Sequence, residues 1–402
     1  MRAAVLETEM KVGQVYLDHA ATTPMDVVVH RDMGQYCCLF FGNPATLYAL
    51  GRRSSEAVEE ARHRVAELLG CGDDEIYFTS GGTESDNWAV QGTAFRHMEK
   101  GKHVITSSIE HHAVLDAAKF LESIGFEVTY VPVDDTAMID PDDVKKAIRD
   151  DTVLISIMHA NNEVGTIEPI AEIGKIAREA GVTCHTDAVQ TVGKIPTKVD
   201  ALGVDLLSLS AHKFYGPKGI GAMYIRKGTR IQRFMHGGRQ EHNKRAGTLN
   251  VPGIVGLGAA AKLALEHREE DAERLRKLAK KLNDGLLDTI PDIRSNGHPE
   301  KHLPGLVHVC VDGVEGEAML LCLDAEGVCV SSGSACTTGS LDPSHVLLAM
   351  GMPAEVAHGS VRFSMGRHTV EEEIDKVLEL FPPIVEKLRA MSPTYKKQVR
   401  VR

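Results

Sequence analysis

The sequence predicts an α/β protein in two parts, a large domain on a mixed, mostly parallel sheet flanked by helices and a smaller α/β domain. Three observations lead there. β-Rich runs alternate with helical stretches from about residue 75 to 225, a long charged helical stretch follows at 262–287, and the remainder alternates again. Such alternation covers a largely parallel sheet with helices on its faces. A chain of 402 residues is long enough for two or three hydrophobic cores.

The strands of the first part are expected at 76–79, 103–107, 127–133, 153–158, 182–186, 205–209 and 220–225. Between them, 113–124 and 170–180 carry apolar residues at helical spacing. In the long stretch at 262–287, Leu275, Leu278, Leu282 and Leu286 mark one face, while Glu270 with Arg274 and Glu273 with Lys277 are spaced as i,i+4 pairs. This reads as a solvated helix linking two domains. Strands at 306–311 and 361–365 follow, then a helix from about Val370. Thr369 and Glu372 stand at capping-box spacing, and Val370, Ile374, Val377, Leu378 and Phe381 form the apolar stripe. The resulting division gives a large domain at 23–265 and a small one from 1–22 and 266–402, with a polar loop at about 328–342.

Composition narrows the function. The 56 acidic and 45 basic residues leave a net charge of −11 without a compensating basic run, which argues against nucleic acid as a partner. The apolar stretch 251–265 is too short to span a membrane, and 1–14 lacks the core of a signal peptide, so a cytoplasmic protein is expected. Eight cysteines without a C-x-x-C pair suggest reduced thiols. Cys71, Cys184, Cys310, Cys322 and Cys329, and the adjacent Cys37 and Cys38, read as core filler.

Five stretches have the residue types that chemistry needs. At 78–85 a strand ends, Gly81 and Gly82 follow, and Thr83 and Glu84 open a helix. Helix starts attract anions and paired glycines admit a phosphate, although such turns without a ligand are at least as common. Lys213 stands just past an apolar run, beside Ser210 and His212. In a cleft it would lose solvation and become a nucleophile able to form a Schiff base; a surface lysine is the commoner case. The run at 182–186 delivers Asp187 to the sheet edge where open α/β folds bind ligands, with Gln190 three residues on. A carboxylate there suits a pyridine-type nitrogen, and a helix-capping Asp is the plain alternative.

At 330–340 a loop of small polar residues presents Cys336. Structural cysteines are seldom placed so, whereas a catalytic thiol must be reachable and often mobile. Arg362 has the planar fork that clamps a carboxylate, and an ordinary ion pair would explain it too. His111 and His112 follow Glu110 at a helix start. No further ligand stands at metal spacing, so a metal is not expected; an imidazole over a planar cofactor is the sharper use.

Taken together, the chain resembles the cysteine desulfurases of the NifS/IscS type, class-V aminotransferases within the fold-type I (aspartate aminotransferase-like) pyridoxal-phosphate (PLP) enzymes. The resemblance is carried by Leu17-Asp18-His19-Ala20-Ala21-Thr22-Thr23-Pro24, 41–45, 79–87, Glu110-His111, 158–165, 185–190, 210–221, 245–248, 331–337 and 361–367, in family order. The cysteine loop is the most discriminating of these. The resemblance implies PLP as cofactor, L-cysteine as substrate and a homodimer. It implies Lys213 as the covalent anchor and proton carrier, His111 stacked on the ring, Asp187 at its nitrogen and Gln190 at its phenolic oxygen. Thr83, Ser210 and His212, with Gly82 beside them, would hold the phosphate together with Thr248 of the partner subunit. Asn162 and Arg362 would orient the substrate.

Cys336 would accept sulfur as a persulfide, with His111 as a proton acceptor for its thiol. It would then deliver the sulfur to an iron–sulfur scaffold or another acceptor protein, serving as a cluster ligand in that complex. A selenocysteine lyase or another class-V PLP enzyme is the nearest alternative, and a non-catalytic partner in a sulfur-transfer complex is one of a different class. Arg239 stands where the family usually has a third glycine, and Ala246 where it has serine, near the expected dimer and phosphate region.

Overall fold

In the computed structural model, residues 14–332, 343–392 and 395 are described. The strands in chain order are β1 (Val15–Tyr16), β2 (Ile76–Thr79), β3 (His103–Ser107), β4 (Glu127–Val131), β5 (Thr152–Ser156), β6 (Thr183–Asp187), β7 (Leu206–Ser210), β8 (Gly221–Ile225), β9 (Ile293–Asn296), β10 (Leu306–Val311), β11 (Val328–Cys329) and β12 (Ser360–Ser364). Seven of them form one sheet in the order β2-β8-β7-β6-β5-β3-β4. Only β8 runs against its neighbours; every other pair is parallel, which is the predicted mixed, mostly parallel sheet. β3, β5, β7 and β8 are buried along their whole length, as helices on both faces require. Parallelism also brings the C-terminal ends of β2, β6 and β7 to one edge, and with them Thr79, Asp187 and Ser210.

The helix expected at 262–287 is longer. It runs from Val251 to Thr289 and is capped by Asn250, whose side chain accepts the Gly253 N–H at 3.1 Å. Its first part, with Val251, Ile254, Leu257 and Ala261, packs into the core of the large sheet. Leu275, Leu278, Leu282 and Leu286 pack into a second core with Val309, Phe363 and Phe381. The Gly- and Ala-rich start hid this helix, because its small residues serve close packing. A Cβ on Gly258 would lie 2.6 Å from Ala61 Cα on the facing helix. The second core also holds the antiparallel sheet β12-β10-β9 and the parallel pair β1-β11.

Two expectations need correction. The last helix, Glu371–Met391, is capped one residue later than the spacing suggested: Glu373 accepts the Val370 N–H at 3.0 Å, while the Thr369 hydroxyl accepts from Gly366. Cys37 and Cys38 are exposed at the end of the helix Val27–Cys38, whereas Cys184 and Cys310 are buried as expected.

A buried ion pair braces the sheet edge. Arg62 donates to Glu241 at 2.8 and 2.9 Å, and Glu241 also accepts the Phe78 N–H of β2 at 2.7 Å. Glu241→Ala would leave the buried guanidinium with only the exposed Glu59 carboxylate, at 3.2 Å, as its counter-charge, and would orphan the Phe78 N–H, at an expected cost of about 3 kcal/mol. A denaturant titration reads this; an unchanged midpoint would contradict it.

Candidate active site

The sheet edge opens into a cavity of about 380 Å³, within the usual range for small-molecule sites. Gly82, Thr83, His111, Asn162, Asp187, Gln190, Ser210, His212, Lys213 and Arg362 all line it. A second cavity shares Gly82, Thr83, Ser210 and His212 and adds Thr22, Ser80 and Lys218. It sits at the start of the helix Gly82–His97, where backbone N–H groups and the helix dipole favour an anion. The turn is held tightly against β8: a Cβ on Gly221 would lie 2.5 Å from the Leu209 carbonyl oxygen and 2.8 Å from Gly81 Cα. Glu84 accepts the Ser80 N–H at 2.7 Å and is itself gripped by Arg245 at 2.8 and 3.0 Å.

Lys213 follows β7 in a short turn, and its Nζ donates to the carbonyls of Ala20 and Ala21, each at 2.8 Å. Asp187 ends β6, buried, and accepts the Val189 N–H at 2.8 Å. Burial pushes its pKa up to about 6, and the Lys213 charge opposes that rise. Asp86 lies beside it, wholly buried, with Oδ1 lacking a hydrogen-bond partner among the described residues. Burial first and then the Asp187 charge raise the Asp86 pKa well above the carboxylate range. Both carboxyls are thus pushed upward by burial, and only Asp187 has the Lys213 charge working against that rise.

His111 caps the helix His112–Ser123 by accepting the Ala113 N–H on Nδ1 at 3.1 Å. Burial and the nearby Lys213 charge lower its pKa to about 4. A neutral ring that accepts on Nδ1 carries its hydrogen on Nε2. His212, likewise lowered to about 4 by burial, shares a 3.1 Å hydrogen bond between Nδ1 and the Thr22 hydroxyl. Arg362 makes the ion pair that the sequence allowed and also lines the cavity. Nη2 pairs with Asp18 at 2.9 Å and Nη1 donates to the Asn162 carbonyl at 2.7 Å, yet the side chain lines the cavity and its Nε has no partner among the described residues. Thr248 is exposed and lies outside this cavity. Cys336 lies outside the described residues.

The donor set fits PLP: a helix start for the phosphate, a buried carboxyl for a cationic ring nitrogen, a neutral imidazole, and a cleft amine. No cluster suited to a metal ion occurs among the described residues. Sequence reasoning missed Asp86 and the main-chain carbonyls of Ala20 and Ala21. Asp86 stands three residues after Thr83, one helical turn along the same face, and that spacing was the available signal.

The family model for aminotransferase class V matches residues 15–377. The chain is 54% identical over 388 residues to a protein named cysteine desulfurase IscS from Dictyoglomus turgidum, covering 96% of this chain and 98% of the relative. Among solved structures it is similar to a NifS-like protein, with a TM-score of 0.88, 39% identity, and coverage of 93% of this chain and all (100%) of that one. It is also similar to SspA in complex with cysteine, with a TM-score of 0.79, 37% identity, and coverage of 89% and 100%. The chain thus belongs to the class-V aminotransferases, a PLP-dependent family, and within them to the cysteine desulfurases.

Proposed function

We propose that the protein converts L-cysteine to L-alanine and retains the sulfur as a persulfide on Cys336. The observation that carries this reading is the meeting of Lys213, Asp187, His111 and Arg362 in one cavity at the C-terminal edge of the sheet. Bound PLP supplies a carbonyl carbon for an amine and a protonated ring that absorbs the electron pair left on Cα.

The side chains divide the remaining work. Lys213 would anchor the cofactor covalently, and its amine, once free, would take the Cα proton. Asp187 ionises against the cationic ring nitrogen and keeps that proton in place. The His111 ring stacks on the cofactor and offers its Nε2–H. Gln190 meets the phenolic oxygen, and Gly82, Thr83, Ser210 and His212 hold the phosphate. Arg362 and Asn162 orient the substrate carboxylate. The Cys336 thiolate attacks the substrate sulfur: an S–S bond forms, the Cβ–S bond breaks with its electron pair passing to the carbon skeleton, and protonation releases alanine.

The anchoring of the chain on either side of Cys336 supports this role. Ser331, five residues before it, pairs its backbone with Arg362, and Ser344, eight residues after it, donates to Glu163 beside Asn162. Five extended residues span up to roughly 17 Å, enough to cross a small-molecule cleft. Leu39, Phe41, Leu47 and Tyr48, together with Phe234 and Met235, expose large apolar side chains, which supports a homodimer in which Thr248 of the partner subunit reaches the phosphate.

The same reading includes an acceptor protein for the sulfur, such as an iron–sulfur scaffold, and a cytoplasmic location. The latter is supported by seven free cysteines among the described residues and by no described helix being long and apolar enough to cross a membrane. It also divides the chain into domains at 23–265 and at 1–22 with 266–402, which the two hydrophobic cores support.

Holoprotein given L-cysteine and a reductant should release alanine and sulfide in near-equal amounts; alanine without sulfide would overturn the reading. Asp187→Asn is expected to lower alanine formation by about 10²–10³-fold while Lys213 still carries the cofactor. Wild-type turnover in that variant would remove Asp187 from the proposed role.

A further inference from the structure

Lys194 takes no part in the steps above, yet its amine reaches the cleft through one neighbour. After β6 the chain coils so that the Val192 N–H donates to Ala188 and the Ile195 N–H to Thr191, each at 3.0 Å. Gln190 and Lys194 therefore stand one helical turn apart on the same side. Lys194 Nζ donates to Gln190 Oε1 at 2.9 Å. Gln190 Nε2 donates to the Ala20 carbonyl at 2.9 Å, the same carbonyl that receives Lys213 Nζ.

Both ends of the amide are thus held. In its protonated form the Lys194 amine only donates, so it selects the amide oxygen and fixes which way the group is turned. One amide N–H goes to Ala20, and the second is what Gln190 has to offer an acceptor in the cavity. We propose that Lys194 is a positioning residue that turns the Gln190 carbonyl away from the cleft, so that Gln190 presents an N–H to the cofactor's phenolic oxygen. This rests on the reading that Gln190 meets that oxygen.

The Lys194 amine is coupled to the other charges of the cleft. Burial, then the charges of Lys213 and Arg362, lower its pKa to about 7, and it in turn helps lower His19 and His212. Tyr215, Arg268 and Asp271 line the cavity on its other side. An N–H directed at the phenolic oxygen stabilises its ionised form. Without Lys194 the amide keeps only its bond to the Ala20 carbonyl, and loss of the second hold lets it turn its carbonyl toward that oxygen more often, which favours the protonated cofactor.

The test is the pH titration of the visible absorption band of the holoprotein in four forms: wild type, Lys194→Met, Gln190→Leu and the double variant. Lys194→Met is expected to raise the midpoint by about one unit, a tenfold change in proton affinity. Gln190→Leu should raise it similarly, and the second substitution should add nothing to the first. Lys194→Gln, which keeps N–H donors, should shift the midpoint less than Met does and serves if the Met variant does not fold.

An unmoved midpoint in the Lys194 variants overturns the inference. So does a Lys194→Met shift that persists in full on the Gln190→Leu background, because the lysine would then act directly by its charge. A wild-type protein without a visible band, or a Gln190→Leu variant that titrates as wild type, identifies a failure of the underlying reading of the cleft and removes the inference with it.

Discussion

Lys213→Ala is expected to abolish cysteine turnover. Two functions leave together: the covalent hold on the cofactor and the amine that moves the Cα proton. Proton transfer by a positioned side chain alone contributes about 10²–10⁴-fold, so alanine formation should fall by at least about 10³-fold. No other lysine among the described residues that line the cavity replaces the lost group. Lys194 donates to Gln190, and the Ala20 and Ala21 carbonyls that receive the Lys213 amine have no proton to give. The variant should take up PLP reversibly, lose it on gel filtration, and show no band that borohydride bleaches. A variant that retains the cofactor through denaturation would refute the assignment of the anchor.

Cys336→Ala is expected to have the second large effect, with the opposite spectroscopic outcome. The cofactor site does not depend on this thiol, because the groups proposed to hold PLP stand on β6, β7 and the helix starts after β2 and β3. Its absorption band should therefore be that of the wild type. Sulfide and protein-bound persulfide should both disappear, and alanine formation should fall by about 10³-fold or more, because the step that breaks the Cβ–S bond has lost its nucleophile. Sulfide at the wild-type rate would indicate lyase chemistry in which the loop thiol has no part.

Much of this architecture was legible in the sequence, for identifiable reasons. Strands buried on both faces read as short apolar runs, and the sheet strands from β2 to β8 fall within two residues of their expected limits. Asp187 was placed correctly at the edge because it follows the β-rich run 182–186, whose end marks the C-terminal end of a parallel strand. The start of the helix Val251–Thr289 was not legible. Its glycines serve contact between helices, and contact of that kind leaves no periodic apolar signal.

The place of Lys213 in the cleft was legible from its position just past an apolar run, beside Ser210 and His212, although a lone lysine is usually a surface residue. The site was not legible for Asp86, whose raised pKa comes from burial and from Asp187, a partner 101 residues away in the chain. Nor could the sequence show that Nδ1 of His111 accepts the Ala113 N–H as a helix cap, which in the neutral ring directs the hydrogen to Nε2. Arg362 shows the limit from the other side. Its ion pair with Asp18 and its place in the cleft looked like competing explanations in one dimension and are both present in three.

The central claim is that the amine at 213 and the thiol at 336 act on one bound cysteine. A single turnover without reductant tests it most directly: holoprotein mixed with substoichiometric L-cysteine, quenched, and mapped by mass spectrometry while alanine is counted. The account predicts that each alanine released is matched by one added sulfur atom on the peptide containing Cys336. Alanine formed with that peptide unmodified, or with the sulfur on another cysteine, would contradict it.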